Sequence, residues 1–175
     1  QFMKKAHNRS IALLLITLWT TMFVTSCKSE EGYGANNVDE VILPAPDTMQ
    51  DKELTTFFEA VLNASKFGVK PFFAETVENT FATINSKKDF SSIYNGEDGL
   101  PEIDFEKYTL IVGQVYAPGT NYSVSKLELI SYKTSYKLMV FLEKPEYTFW
   151  AFTDIYYWKL YPKLDNRKIE VEVQQ

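Results

Sequence analysis

The residue types that most often carry covalent or metal chemistry are nearly absent from this 175-residue sequence. His7 is the only histidine and Cys27 the only cysteine. Nucleophilic Ser–His or Cys–His catalysis needs an imidazole, and most zinc sites use imidazole or thiolate ligands. Because the sequence beyond residue 27 contains neither imidazole nor thiol, it excludes these reactions there, and we expect no metal and no cofactor.

Carboxylates are the remaining groups with catalytic potential, and they are densest between residues 97 and 106. Two carboxylates at a set separation can hydrolyse glycosides, and carboxylate oxygens can also bind calcium. The stretch lacks the regular spacing of a calcium loop, and acidic side chains in a turn-rich segment are usually just solvated. We therefore predict no enzymatic activity, with a carboxylate-dependent hydrolase as an alternative. The acids in question are Glu97, Asp98, Glu102, Asp104 and Glu106.

The single cysteine ends an N-terminal segment that is built like a secretory signal. Basic residues come first, an apolar core spans residues 11–24, and Thr25-Ser26 precede Cys27. The apolar core is too short for a permanent transmembrane helix. The order resembles the bacterial lipoprotein box, in which the cysteine thiol is lipidated and the leader is cut off before it. We predict that residues 1–26 are a lipoprotein signal peptide and that Cys27 is the lipidated residue.

The residues after Cys27 bear on where the protein is delivered. The sequence KSEE at residues 28–31 resembles a signal that sends lipoproteins to the outer face of the membrane in one group of Gram-negative bacteria. Several acyl chains anchor a protein stably, whereas a single chain is marginal. We expect an outer-membrane lipoprotein held by its lipid at the cell surface, with the periplasmic face as the alternative.

The charge of the chain argues against nucleic acid as a partner. The formal net charge is −5, and it becomes −8 without the three basic residues of the leader, Lys4, Lys5 and Arg9. Nucleic acids reward clustered lysine and arginine. An acidic domain without a basic block is therefore expected to bind other classes of partner.

Composition divides the chain beyond the signal into two parts. Residues 27–46 carry the lipidated cysteine and a stretch with glycine, asparagine and proline, which is typical of an extended tether. Residues 47–175 are predicted to form a single domain, long enough to fold without disulfides. Residues 41–43 could add a first strand. Thr48, in the triplet at residues 47–49, fits either a helix cap or an O-glycosylation acceptor.

Two helices are predicted within the domain. Apolar residues recur at the 3.6-residue period of one helix face, and Gly68 is placed to end that helix. Ser86 followed by Asp89 matches a capping box that opens a second, short helix. The apolar stripe of the first helix consists of Leu54, Phe57, Phe58, Val61 and Leu62.

The rest of the domain is rich in short apolar segments separated by turn signals. Residues 110–112 are apolar on both faces, which is typical of a central strand. The apolar parity changes between Ser125 and Lys126, so we expect a β-bulge there. The predicted strands lie at residues 72–73, 80–84, 108–116, 122–132, 136–143, 147–152, 155–160 and 169–173.

These elements predict an α+β fold. Its main part would be a mostly antiparallel, up-and-down β-sheet, sandwich- or barrel-like. The N-terminal amphipathic helix would cover one face of that sheet, and the second helix would be short.

Aromatic side chains are concentrated between residues 147 and 161. Alternation along a strand puts Tyr156 and Trp158 on one side, and Tyr157, Lys159 and Tyr161 on the other. Core packing or sheet cover is the default explanation, since each buried ring removes ~150–250 Å² from water. If the second side is exposed, its rings suit a protein partner or the faces of sugars. The candidate binding surface is Tyr157, Lys159, Tyr161, Trp150 and Tyr122.

The segment INSKKDFSSIYNGEDGLPEIDFEKYTLIVGQVYAPGTNYSV, residues 84–124, resembles the small C-terminal β-domain of the protease-complex subunit PrcB. The shared pattern is a short helix, then Asp104-Phe105 before a hydrophobic strand, then a turn that reaches Tyr122. The resemblance extends to about residue 162 and implies an extracytoplasmic, β-rich module. It also implies a module that assists a protease through protein contact, without catalytic residues of its own.

These observations lead to one expected function and one alternative. We expect a non-enzymatic, envelope-anchored lipoprotein whose β-rich domain binds a macromolecule, in the first place a protein such as a protease complex. The alternative is a carbohydrate-binding accessory lipoprotein that uses Tyr157, Tyr161 and Trp150.

Replacing the sulfur of Cys27 with a hydroxyl tests the lipid anchor. Because Cys27→Ser removes the thiol that accepts the lipid, we expect labelled palmitate to be no longer incorporated and the protein to leave the detergent phase in a partition experiment. Ser29→Ala, which keeps the thiol, is the matched control. Unchanged labelling and partitioning of Cys27→Ser would rule out lipidation at this residue.

Overall fold

The computed structural model describes residues 40–64, 69–74, 78–97 and 99–175. The predictions about the signal peptide, Cys27 and most of the tether lie outside these residues, as do those about Gly68 and Asp98. Neither helix within the described ranges has the length and apolar character that crossing a bilayer requires.

Seven strands and two helices make up the described part of the domain. The strands are β1 (Val41–Leu43), β2 (Thr80–Ile84), β3 (Tyr108–Ala117), β4 (Ser123–Ser131), β5 (Ser135–Glu143), β6 (Thr153–Pro162) and β7 (Lys168–Gln174). The helices are α1 (Met49–Ala64) and α2 (Lys87–Ser91). The fold is α+β, as the sequence predicts.

The strands form two separate sheets. One sheet has the order β1-β4-β5-β7 and the other the order β2-β3-β6. All neighbouring pairs are antiparallel except β5 and β7, which run parallel. The expectation of mostly antiparallel strands is confirmed, but the simple up-and-down order is wrong. After β5 the chain leaves the four-stranded sheet to form β6 in the other sheet. It then comes back to the four-stranded sheet as β7, which runs parallel to β5.

The first strand shifts the start of the domain toward the N-terminus. β1 pairs with the end of β4, with Val41 opposite Ser131 and Leu43 opposite Leu129. The alternative of a first strand at residues 41–43 is therefore confirmed, because these residues complete one edge of the four-stranded sheet.

β3 lies at the centre of the three-stranded sheet and is buried on both faces. Leu110 and Val112 point into a core shared with α1, whereas Ile111 and Val115 point into a core shared with the four-stranded sheet. None of the four is more than 2% exposed. The prediction of a central strand at residues 110–112 is confirmed.

Helix α1 covers the outer face of the three-stranded sheet. Leu54 and Phe58 of its apolar stripe are fully buried, and the Phe58 ring stacks on the Trp158 ring with 4.7 Å between the centroids. The Thr48 hydroxyl accepts a hydrogen bond from the Asp51 amide at 3.2 Å. Thr48 therefore caps the helix, which is one of its two predicted roles.

Helix α2 begins with the predicted capping arrangement. The Ser86 hydroxyl accepts a hydrogen bond from the Asp89 amide at 3.1 Å, and Oδ2 of Asp89 accepts one from the Asn85 amide at 2.9 Å. The return bond goes to the residue before the cap rather than to Ser86 itself. The bond to Ser86 satisfies a backbone donor of the first turn that the helix cannot pair internally.

Two predicted strands are wrong, and one predicted irregularity is confirmed. Phe72 makes only an isolated bridge to Tyr94, because the next residue, Phe73, adopts a positive φ of 52°. Residues 147–152 form a loop. The bulge lies where the parity change placed it, as the pairing of β4 with β5 shifts between Val124 and Lys126.

A glycine in the middle of β3 makes room for a tyrosine of β6. Gly113 lies directly opposite Tyr157, and a Cβ atom at residue 113 would sit 2.0 Å from Cζ of the Tyr157 ring. The ring therefore lies over the glycine, where it is buried between the two sheets.

The buried hydroxyl of Tyr161 yields a prediction about stability. Tyr161 is 1% exposed, and its Oη has no hydrogen-bond partner among the described residues. Because an unpaired buried polar group costs about 1–3 kcal/mol, we expect Tyr161→Phe to raise the free energy of unfolding by about 1 kcal/mol. Burial also raises the pKa of Tyr161, so the fold favours the neutral phenol. Above the ordinary tyrosine pKa of about 10, this phenol ionises in the unfolded protein but stays neutral in the folded protein, which lowers the free energy of unfolding. Phenylalanine has no proton to lose, so the stability gained by Tyr161→Phe should grow above pH ~10.

Tyr136→Phe is the matched control for this prediction. Tyr136 is also buried, but its hydroxyl accepts a hydrogen bond from the Arg167 guanidinium. The same deletion should therefore lower the free energy of unfolding by about 1 kcal/mol. Urea unfolding at neutral pH and at several alkaline values measures both variants, and equal losses in the two would contradict the account of Tyr161.

Candidate functional site

The largest group of exposed apolar side chains in the described domain lies on the loop between β5 and β6. We call residues 144–152 the aromatic loop. Its exposed rings are Tyr147, Phe149, Trp150 and Phe152, with exposed fractions of 73, 72, 103 and 69%. Several large rings exposed together on one loop are typical of an interaction surface, because single exposed apolar residues are common but contiguous ones are not.

Hydrogen bonds to the turn between β3 and β4 fix the backbone of the aromatic loop. The Phe149 amide donates to the Thr120 hydroxyl at 3.2 Å, and the Thr120 amide donates to the Phe149 carbonyl at 3.3 Å. The Thr148 hydroxyl donates to the Thr120 carbonyl at 3.2 Å. A Cβ atom at Gly119 would lie 2.2 Å from Oγ1 of Thr148, so any other residue there would displace this hydroxyl. The loop therefore presents its rings from an ordered backbone.

A pair of stacked rings lies where the aromatic loop enters β6. The rings of Tyr116 and Phe152 are 4.8 Å apart between centroids and inclined by only 8°. Tyr116 is at the end of β3, so the stack ties the loop to the three-stranded sheet. Such a pair stabilises by about 0.5–1.5 kcal/mol beyond the area that it buries.

A cleft of about 1070 Å³ adjoins the aromatic loop at Phe152. We call it the β4–β6 cleft, because residues 123–127 of β4 and residues 153–159 of β6 line it. Leu62 of α1 and residues 69–71 also line the cleft. The cleft thus lies where the two sheets and the end of α1 come together.

The charged side chains that line the β4–β6 cleft are paired within the chain. The pairs are Lys70–Asp154 at 2.9 Å, Lys126–Glu128 at 2.6 Å and Lys159–Asp51 at 3.1 Å. Burial, together with the nearby Asp154 carboxylate, raises the pKa of Tyr156 to about 12, so this phenol is neutral at physiological pH. The cleft therefore offers an apolar wall with little uncompensated charge.

The expectation that Tyr157 and Tyr161 face solvent is wrong. They are 3% and 1% exposed, because both faces of β6 are covered, one by α1 and the other by the four-stranded sheet. Tyr122, Tyr157 and Lys159 nevertheless line the same β4–β6 cleft. Of the five predicted surface residues, Trp150 is the one that is fully exposed, and it lies on the neighbouring loop.

Sequence reasoning missed that the exposed rings are those of the aromatic loop. Residues 147–152 resemble a strand because they combine aromatic residues with threonine, both of which favour β-structure. The signal for a loop was the preceding Lys144-Pro145-Glu146, which marks a turn. The exposure of Tyr116 was also missed. This residue lies near the end of β3, and the sequence does not show at which residue the buried strand emerges from the core.

Three of the acidic side chains that were weighed as catalytic groups lie beside one hollow. Glu102, Asp104 and Glu106 border a second hollow of about 640 Å³. A hydrogen bond from Lys107, whose ammonium lies 2.8 Å away, lowers the pKa of the Asp104 carboxyl. A general acid needs a raised pKa, so the shift is in the wrong direction. Within the described ranges, no three histidine, cysteine or acidic side chains are grouped to hold a metal ion.

Comparisons of the chain with protein-family models, with curated proteins and with solved structures found no match. The candidate site therefore rests on its own geometry. The resemblance to PrcB stays a prediction.

Removing the hydroxyl of Thr120 should loosen the aromatic loop without unfolding the domain. Thr120→Val keeps the shape but loses the acceptor for the Phe149 amide. Because one hydrogen bond contributes about 1 kcal/mol, we expect hydrogen exchange at the Phe149 amide to become about fivefold faster. Thr134→Val in the exposed β4–β5 turn is the matched control. An unchanged exchange rate at Phe149 would show that the Thr120 hydroxyl does not hold the loop.

Proposed function

We propose that this chain is a non-enzymatic bacterial outer-membrane lipoprotein, anchored through Cys27, whose α+β domain binds a protein partner. The aromatic loop is the contact surface, and a protease complex is the kind of partner that the PrcB-like segment suggests. The domain acts by positioning its partner at the membrane, and its own residues carry out no reaction.

The observation that carries this proposal is the exposure of four large rings on a backbone held by hydrogen bonds. Each ring can bury ~150–250 Å², and each is at least 69% exposed, so together the rings offer roughly 500–800 Å² of apolar surface. A standard interface buries about 800 Å² on each partner, so the loop supplies much of one contact. Rigid aromatic rings are typical hot-spot residues because little conformational entropy is lost when they are immobilised.

The polar groups beside the rings favour a protein over a sugar. Sugar recognition needs hydrogen-bond partners for the hydroxyl groups, in addition to a ring to stack on. The side chains of Thr120 and Thr148 are engaged in holding the loop, and the Asn121 amide lies 3.5 Å from the Tyr147 carbonyl. Residues 147–152 of the loop therefore present mainly apolar surface, which suits an apolar patch on a protein.

A carbohydrate-binding accessory role is the second candidate function. It is favoured by Trp150, a flat and completely exposed ring of the kind that stacks on a sugar face. In this case Trp150 fluorescence would shift on adding a polysaccharide, and no specific protein contact would be found at the loop.

Site-specific photo-crosslinking tests the protein-binding proposal. The crosslinker p-benzoylphenylalanine is placed at Phe149 in cells that make the full-length chain, and at Lys133 in the exposed turn at the other end of β4 as the control. We expect one protein to be crosslinked from residue 149 and not from residue 133. Trp150→Ala should then lower the affinity for that protein by about 30-fold, as expected for a hot spot of about 2 kcal/mol. Crosslinks that are the same from both positions, or an affinity unaffected by Trp150→Ala, would contradict the proposal.

A further inference from the structure

The residues that line the β4–β6 cleft show how the cleft is oriented. Side chains alternate between the two faces of a strand, so a cavity over one face is lined by every second residue. The cleft is instead lined by an unbroken run on each strand, residues 123–127 on β4 and 153–159 on β6. It therefore runs along the edges of these two strands.

Both edges lack a partner strand in the described part of the chain. β6 is the outermost strand of the sheet β2-β3-β6, so its side away from β3 is open. β4 pairs with β5 along its whole length, but on its other side β1 covers only residues 129–131. Residues 123–128 of β4 therefore also present an open edge, and the two open edges face each other across the cleft.

The open strand edges determine which class of ligand can bind in the cleft. A strand edge carries alternating N–H and C=O groups, and another extended polypeptide matches that repeat, at about 3.4 Å per residue. The volume of about 1070 Å³ is at the upper end of the ~300–1,000 Å³ range of ligand sites and gives room for a short peptide segment. Since the charges on the wall are paired within the chain, a charged occupant would find no free counter-ion.

Charges in the middle of an edge strand often block pairing. On β4 the charge is Lys126, whose ammonium is paired with Glu128 at 2.6 Å, and on β6 it is Lys159. Its ammonium is held 3.1 Å from the Asp51 carboxylate of α1. The charge is thereby directed to the helix, and the backbone edge of β6 stays accessible.

We propose that the β4–β6 cleft binds one extended peptide segment, about six residues long, with uncharged side chains. The segment adds as a strand between β4 and β6 and joins the two sheets, with its alternate side chains in the apolar cleft. This inference rests on the proposed function, since the segment belongs to the protein partner, and it names the part of that partner that is recognised. Main-chain hydrogen bonds supply the affinity, as in other cases of β-strand addition.

Peptide selection followed by hydrogen exchange tests the inference. The probe is a phage library of random twelve-residue peptides, selected on the immobilised full-length chain. We expect the selected peptides to share an uncharged stretch of alternating apolar residues. At a peptide concentration tenfold above Kd, the edge amides of residues 123–128 and 153–159 should exchange about tenfold more slowly than in the free protein. Amides of β7, at the far edge of the other sheet, serve as the internal control.

N-methylated peptides separate insertion between two edges from addition to one. A strand flanked on both sides uses every backbone amide, so N-methylation of any central residue should weaken binding about fivefold or more. Tolerance of methylation at every second residue would mean addition to a single edge and would overturn insertion between the two strands.

The outcomes are distinguishable from those of the loop experiment. Slower exchange along both strand edges and sensitivity to each N-methyl group support the inference. Failure to select peptides, selected peptides that leave the edge amides unprotected, or oligosaccharides that protect them instead would overturn it. Crosslinking from Phe149 that succeeds while peptides fail would overturn the inference and leave the proposed function standing, whereas failure of both experiments would overturn both.

Discussion

The structure depends on the burial of β3 on both faces. Leu110 and Val112 form one core with α1, and Ile111 and Val115 form a second core with the four-stranded sheet. Each fully buried aliphatic side chain stabilises by about 1.5–3 kcal/mol, so these four residues alone account for several kilocalories. Because one strand serves both cores, the helix layer and the two sheets are stabilised through the same ten residues.

The burial of β3 on both faces also determines the role of the side chains of β6. β6 pairs with β3 along its whole length, so its alternate side chains are drawn into the same two cores. Trp158 stacks on Phe58 under α1, and Tyr157 lies over Gly113 between the sheets. The aromatic residues of β6 are therefore structural. The exposed rings lie instead on the aromatic loop before β6, and this loop reaches the open backbone edge of β6 at Phe152.

The sequence predicts the elements of this domain better than their arrangement. Local patterns are enough for the stripe of α1, the cap at Ser86, the central strand at residues 110–112 and the bulge near Ser125, since each depends on near neighbours in the chain. The sheet order and the parallel pairing of β7 depend on which sheet β6 joins, and no local pattern contains that information. The prediction that one face of β6 is an exposed binding surface was wrong for the same reason. Alternation shows that Tyr157 and Tyr161 share a side of the strand, but not that a second sheet covers that side.

Hydrogen exchange of the free protein, followed amide by amide, is the most direct measurement of this account. If β3 is the shared centre and β6 has an open edge, the amides of residues 110–115 will exchange only through global unfolding. Alternate amides of residues 153–159, those directed away from β3, will exchange orders of magnitude faster. Uniform protection along β6, equal to that of β3, would mean that the edge is closed and would contradict the account.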